Sequence, residues 1–349
     1  MADAPFRFAI AGCGAISMAH IESIKKMDSA RLVAVWSRTP ERAQAVAREH
    51  GVDWEPTLEA LAGRDDVDAV IVCTPSGFHL EPALAAIEAG KHVVVEKPLE
   101  VTVQRCRTIV ERARARGVQV GVIFQSRFAP ANQAAKRAVE EGRFGRIVMG
   151  DAYVKWYRPQ SYYDGGAWRG TWELDGGGAL MNQAIHAVDL LLWLMGSVES
   201  VDARADCLAH QRIEVEDTLS ALLRFTSGAI GVIQATTSVF PGYPKRVEIH
   251  GDRGGVVLVD DAVASWYEGG DPHPVAEMLE RYGARELSGA ASDPMAISFD
   301  NHRRQLEDFV EAVRTGRPPL VDGEEGTKAV ELVQAIYRAA QTGERVFLS

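Results

Sequence analysis

Residues 92–98 read His-Val-Val-Val-Glu-Lys-Pro. The valine run suits a strand buried on both faces, as in a parallel sheet. A lysine at the carboxyl end of such a strand points into the crevice where open α/β sheets bind ligands. Pro98 stops the strand directly behind it. An ammonium at this place, Lys97, can stabilise negative charge that develops on a substrate oxygen.

A second set of reactive types lies at 175–195, Asp-Gly-Gly-Gly-Ala-Leu-Met-Asn-Gln-Ala-Ile-His-Ala-Val-Asp-Leu-Leu-Leu-Trp-Leu-Met. Three glycines let the backbone pass close to something bulky. A helix then carries Asn182, His186 and Asp189, spaced four and three apart and so on one face. Ile185, Val188, Leu192 and Met195 take the opposite side. A polar stripe on a greasy helix is costly unless it lines a cleft or is fully paired. Imidazole suits proton transfer near neutral pH, so His186 is the candidate base. Just upstream are Trp156-Tyr157-Arg158-Pro159-Gln160-Ser161-Tyr162-Tyr163 and Trp168-Arg169-Gly170-Thr171-Trp172. Aromatic faces beside the guanidinium groups of Arg158 and Arg169 suit a polyhydroxylated ring, with Trp168 for stacking.

A third pattern is Gly12-Cys13-Gly14-Ala15-Ile16-Ser17 between a strand and a helix. Glycines here allow a tight turn and close approach of a pyrophosphate to the helix N-terminus. Gly12, Gly14, Ala15 and Ile16 are the expected contacts. The third fingerprint position is Ser17 rather than Gly or Ala. At the end of the second strand stands Ser37-Arg38, where an NAD site usually has an acidic residue. A hydroxyl and a guanidinium, with Arg42 a turn later, suit a 2′-phosphate. NADP is therefore favoured over NAD.

These groups need a frame. Strands at 6–11, 31–36, 68–73, 92–95 and 118–124 alternate with helices near 17–27, 40 onward, 82–89 and 102–116, which predicts βαβ units and a parallel sheet. Beyond residue 124 the grammar changes. Strands at 146–157, 198–208, 217–225, 229–238, 245–250 and 255–259 follow with little helix between them, and Gly228 and 251–254 read as hairpin turns. Helices are expected at 131–141, 178–195, 300–315 and 324–342, with a long loop holding a short helix at 268–295. The fold class is α/β: an N-terminal Rossmann dinucleotide-binding domain (1–124) and a C-terminal α+β domain (125–349) on a large, mainly antiparallel open sheet. The C-terminal helices are free to pack back on the first domain.

Length and composition agree. Two domains are expected for 349 residues. A net charge of −10 argues against nucleic acid as a partner. Cys13, Cys73, Cys106 and Cys207 are far apart, which argues against a disulfide framework or a zinc site and for no bound metal. With no leader pattern and no long apolar window, no membrane partner and a cytoplasmic location are expected.

Taken together, the GxG turn, Cys73-Thr74-Pro75 through His79, Glu96-Lys97-Pro98, and Gly-Gly-Gly-Ala-Leu-Met-Asn through His186 and Asp189 resemble the glucose–fructose oxidoreductase, inositol dehydrogenase and MocA family. The resemblance covers nearly the whole chain. It implies hydride transfer between a nicotinamide cofactor and a secondary alcohol of a sugar, sugar derivative or cyclitol. It implies Thr74, Pro75, His79, Glu96, Lys97 and Gln125 at the cofactor, with Lys97 between nicotinamide and substrate. Arg127 matches a substrate-bordering position, and His186 the acid–base residue. Position 182 is commonly Asp in the family; Asn182 cannot take a proton and is expected to bind the substrate hydroxyl. A homodimer or homotetramer through the C-terminal sheet is implied. The rivals are a redox-assisted NAD-dependent glycosidase and a non-catalytic nucleotide sensor.

Overall fold

The first sheet is built from β1 (Phe6–Ala11), β2 (Ala30–Trp36), β3 (Asp53–Trp54), β4 (Ala69–Val72), β5 (His92–Val95) and β6 (Val120–Val122) in the order β3-β2-β1-β4-β5-β6. Every pairing is parallel, as the buried apolar runs require. The order reverses between β1 and β4, the switch point where such sheets open a crevice. Helices α1 (Ala15–Lys25), α2 (Pro40–His50), α3 (Leu58–Ala62), α4 (Leu80–Glu88) and α5 (Val103–Arg116) connect the strands. Thr102 caps α5, its hydroxyl accepting the Arg105 N–H at 3.3 Å.

The second sheet runs β13-β12-β11-β7-β10-β9-β8-β14. Its members are β7 (Ile147–Lys155), β8 (Val198–Asp206), β9 (Thr218–Phe225), β10 (Ile230–Thr236), β11 (Arg246–Gly251), β12 (Gly254–Val259), β13 (Ala262–Tyr267) and β14 (Val346–Phe347). Only β7 and β10 pair in parallel; the other neighbours are antiparallel. Along β9, residues 219, 221, 223 and 225 are buried and those between are not, the period of a sheet covered on one face. The remaining helices are α6 (Pro130–Glu140), α7 (Gln160–Asp164), α8 (Ile185–Met195), α9 (Ala276–Tyr282), α10 (Asp300–Thr315) and α11 (Gly323–Thr342).

This computed structural model describes residues 4–166, 168–284 and 299–348. The chain falls into two units, Met1–Gln125 with Ser298–Val330 and Ser126–Ile297 with Glu331–Ser349. The stretch from 125 to 349 is thus interrupted. The reason lies on α10, where Leu306, Phe309 and Val310 join the core of Phe8, Ile10 and Ile21. Of the long loop expected at 268–295, the short helix is α9 and residues 285–295 lie outside the described residues. No helix among the described residues is long and apolar enough to cross a membrane.

Candidate active site

In the first unit β1 leads into the Gly12–Gly14 turn and then α1. The Gly12 N–H donates to the Trp36 carbonyl at 2.7 Å. Its φ is +111°, and a Cβ would fall 2.6–2.8 Å from the backbone of Cys73 and Thr74. Glycine is needed there because two loops cross. Gly14 caps α1 with open space where a Cβ would stand, and Ala15 and Ile16 form the first turn. Ser17 points inward; its buried hydroxyl donates to the Gly14 carbonyl at 2.6 Å. That bond ties the loop to the helix and explains a serine at the third fingerprint position. At the end of β2 the Ser37 hydroxyl accepts the Thr39 N–H at 3.3 Å. The exposed Arg38 guanidinium lies 4.3 Å from the centre of the Phe78 ring. Gln125 Oε1 is buried with no hydrogen-bond partner among the described residues.

Around Lys97, which is half-buried, the polar atoms of Glu96 and His79 bond to the protein. Glu96 is buried; its Oε1 is 2.7 Å from His20 Nε2, and its Oε2 accepts the Lys97 N–H at 3.1 Å. Burial pushes this carboxyl up, but His20, His302 and Lys97 outweigh it and hold it below the usual range. His79 is buried, with Nδ1 2.8 Å from the Pro98 carbonyl and Nε2 2.9 Å from that of Thr74. Burial lowers its pKa, outweighing the nearby Glu100 carboxylate and the two carbonyl partners that favour the imidazolium. Thr74 in turn donates to the Phe78 carbonyl at 2.8 Å. Thr74, Pro75 and His79 thus tie the loop after β4 to the turn after Lys97, across a cis Lys97–Pro98 bond. Glu96 and His79 place Lys97; their polar atoms face the protein.

In the second unit the glycine run leads into a π turn, Ala179–Ala184, before α8. π turns often mark functional sites. The Asn182 Nδ2 donates to the Asp175 carboxylate, and its Oδ1 accepts from Gln183 Nε2 at 2.7 Å. Gln183 also donates to Tyr162 Oη at 3.0 Å and accepts from Arg158 Nη2 at 3.0 Å. Arg158 is buried, 5.0 Å from the Trp156 ring centre and 5.8 Å from that of Tyr162. Arg169 stacks 4.3 Å over Tyr162 and 5.3 Å from Trp168. Burial raises the Tyr162 phenol above its ordinary value, so it remains a donor at neutral pH. His186, half-buried, follows Asn182 by four residues.

The structure therefore gathers Arg158, Trp168, Arg169 and Asn182 around Tyr162. Tyr162 lies in the aromatic stretch expected to face a ring, whereas sequence pattern gives no role to Asp175 or Gln183, although Gln183 adjoins Asn182 and Asp175 opens the glycine run. The sequence reading also placed Asp189 on the polar stripe and Arg127 at the substrate. The structure joins these two: Arg127 Nε donates to Asp189 Oδ2 at 2.9 Å and Nη2 to Oδ1 at 2.7 Å, and both are buried. No group of three or more His, Cys, Asp or Glu among the described residues is placed to hold a metal ion.

Residues 6–124 match a model described as an oxidoreductase family with an NAD-binding Rossmann fold, and residues 132–257 match the GFO/IDH/MocA C-terminal domain. The chain is similar to the D-glucoside 3-dehydrogenase of Escherichia coli K12, with 30% identity across 100% of this chain and 99% of that one. It shares 30% identity with the 1,5-anhydro-D-fructose reductase of Ensifer adhaerens, over 97% of each chain. Among solved structures, the WlbA dehydrogenase of Bordetella pertussis, in complex with NADH and UDP-GlcNAcA, superposes with a TM-score of 0.87. It shares 37% identity and 99% coverage of both chains.

Proposed function

The chain belongs to the GFO/IDH/MocA oxidoreductase family, and from that premise we propose that it transfers a hydride between a nicotinamide dinucleotide and a secondary alcohol of a sugar, sugar derivative or cyclitol. The observation that carries this reading is the array around Tyr162. Asn182, Gln183 and Arg158 present alternating donors and acceptors beside aromatic faces, the mixture a hydroxylated ring needs.

The first unit fits a dinucleotide. Gly12, Gly14, Ala15 and Ile16 would hold the pyrophosphate at the α1 N-terminus, and the unpartnered Gln125 Oε1 would accept a carboxamide N–H. When bound, the nicotinamide ring supplies or accepts the hydride. His186 takes the hydroxyl proton during oxidation and returns it during reduction. Lys97 stabilises the alkoxide as it forms. Asn182, fixed by Asp175 and Gln183, orients the hydroxyl.

Ser37, Arg38 and Arg42, with no carboxylate at the end of β2, support NADP; the NADH found with the Bordetella enzyme supports NAD. The UDP-GlcNAcA in that same complex makes a nucleotide-sugar acid the first substrate to try. The open face of the second sheet, with Leu222, Ile230 and Met149 each 40% or more exposed, supports association with a second copy. The test is a panel of UDP-GlcNAcA, a methyl glucoside, myo-inositol and a free sugar acid, each with NAD and NADP. Reduction of either cofactor by a panel member is expected, with kcat/KM higher for NADP. His186→Ala should lose at least 100-fold in kcat while binding NADH normally. Full turnover in that variant refutes the assignment of the base.

A further inference from the structure

The N–H groups at the start of the substrate-side helix have an unusual set of partners. A helix start leaves its first four N–H groups without intrahelical acceptors. Here the first bond inside the turn is Asn182 N–H to the Gly178 carbonyl, at 3.0 Å. The four preceding N–H groups all go to two residues from elsewhere in the second unit. Gly178 donates to Glu216 Oε2 at 2.9 Å and Leu180 to Glu216 Oε1 at 2.8 Å. Ala179 donates to the Glu216 carbonyl at 3.1 Å. Met181 donates to Tyr337 Oη at 3.2 Å, and Tyr337 donates to Glu216 Oε1 at 2.9 Å.

Sterics agree with the bonding. A Cβ on Gly177, whose φ is +152°, would stand 2.2 Å from Tyr337 Oη, and one on Gly178 would stand 1.8 Å from the Glu216 carbonyl oxygen. The bulky object that the glycine run approaches is thus this pair. Both side chains are buried, so no water competes for the four donors.

We propose that Glu216 and Tyr337 are positioning residues that clamp residues 178–181 and thereby fix the π turn that sets Asn182 relative to His186. The lever is helical geometry. Successive residues of an α-helix turn by about 100°. If the π turn relaxes to α, Asn182 rotates by about that angle relative to α8 and its bond to Asp175 is lost. The clamp rests on the functional reading above only for its effect on turnover, not for its existence.

Two readouts on the full chain separate these. The first is amide hydrogen exchange of Tyr337→Phe, which deletes one hydroxyl and keeps the ring against Trp172, 5.2 Å away. Exchange at 178–182 should quicken at least tenfold, with 187–195 and residues 6–36 unchanged. The second is kinetics on the best panel substrate. kcat per NADH-binding site should fall tenfold or more, KM should move less than threefold, and NADH affinity should stay within twofold. Glu216→Asp, which withdraws the carboxylate by one methylene, is expected to do the same and serves if Tyr337→Phe does not fold. Unchanged exchange at 178–182 overturns the clamp, whatever the substrate proves to be. Faster exchange with wild-type kcat per site overturns the positioning role and leaves only a structural one. A wild type inactive on the whole panel sinks the functional reading, and the exchange result still decides the clamp.

Discussion

The Arg127–Asp189 pair offers the sharpest test of how the second unit is built. Both side chains are 3% exposed or less, joined by two bonds of 2.9 and 2.7 Å, and the guanidinium lies 5.6 Å from the Trp193 ring centre. Asp189→Asn keeps the shape and removes the charge. The guanidinium remains in a desolvated place without its bidentate carboxylate. Breaking a buried pair by removing one partner costs about 3–5 kcal/mol. For a unit of this size, at ~2–4 °C per kcal/mol, the midpoint should fall by roughly 6–20 °C. Calorimetry of the wild type and variant measures this directly.

The companion variant is Arg127→Met with Asp189→Leu. Replacing both charges with apolar groups of similar volume is neutral or stabilising by about 1–4 kcal/mol in comparable pairs. Stability should therefore return, and with it the KM of the wild type, because the pair then only packs α8. A loss under about 1 kcal/mol in Asp189→Asn refutes the argument, since that is the value of a solvated surface pair. A double variant that is stable but has a tenfold higher KM would show instead that Arg127 touches the substrate.

Gly12→Ala places a methyl group 2.6–2.8 Å from the Cys73–Thr74 backbone at a φ few side chains adopt. NADH affinity by calorimetry should drop at least tenfold; binding within twofold of wild type would show that the two loops can part freely. Glu216 supplies a pH test. Burial pushes its carboxyl from 4.5 up to about 7, held from rising further by the Leu180 and Gly178 N–H groups and the Tyr337 hydroxyl. The folded state then keeps a proton that the unfolded chain releases, so stability declines as pH rises from about 4.5 to 7. Above that window the loss is complete, at no more than ~3 kcal/mol. Glu216→Gln cannot ionise, so the stability gap between wild type and variant should narrow across the same window in chemical denaturation. A gap independent of pH contradicts the raised carboxyl.

What could be read from the sequence depended on the distance of the partner. The Rossmann sheet was legible because each of its strands is a local apolar run closed by a local turn. Even there β3, two residues long, left no period to detect. In the second sheet β13 was not anticipated. It follows β12 through Asp260 and Asp261 at φ +46° and +65°, with Val259 paired to Ala262. That is a two-residue hairpin of the left-handed type, made by a pair weaker in signal than Asn-Gly.

The same distinction sorts the site. Lys97, Asn182 and His186 were marked by residue type and local spacing. The framework behind them was not, because its partners come from afar in the chain. Glu96 pairs with His20, 76 residues away, and Arg127 with Asp189, 62 away. The glycine run meets Glu216 across 38 residues from Gly178, and Met181 meets Tyr337 across 156. Its composition was legible as a close approach, but what it approaches could not be named from spacing. A polar stripe on a helix has the same ambiguity. Asn182 and Asp189 share the stripe by type and spacing. The first is held by Asp175 and Gln183, whereas the second is locked in a bidentate ion pair. Local pattern limits what a side chain can do; the tertiary partner decides whether that capacity faces the ligand or the protein.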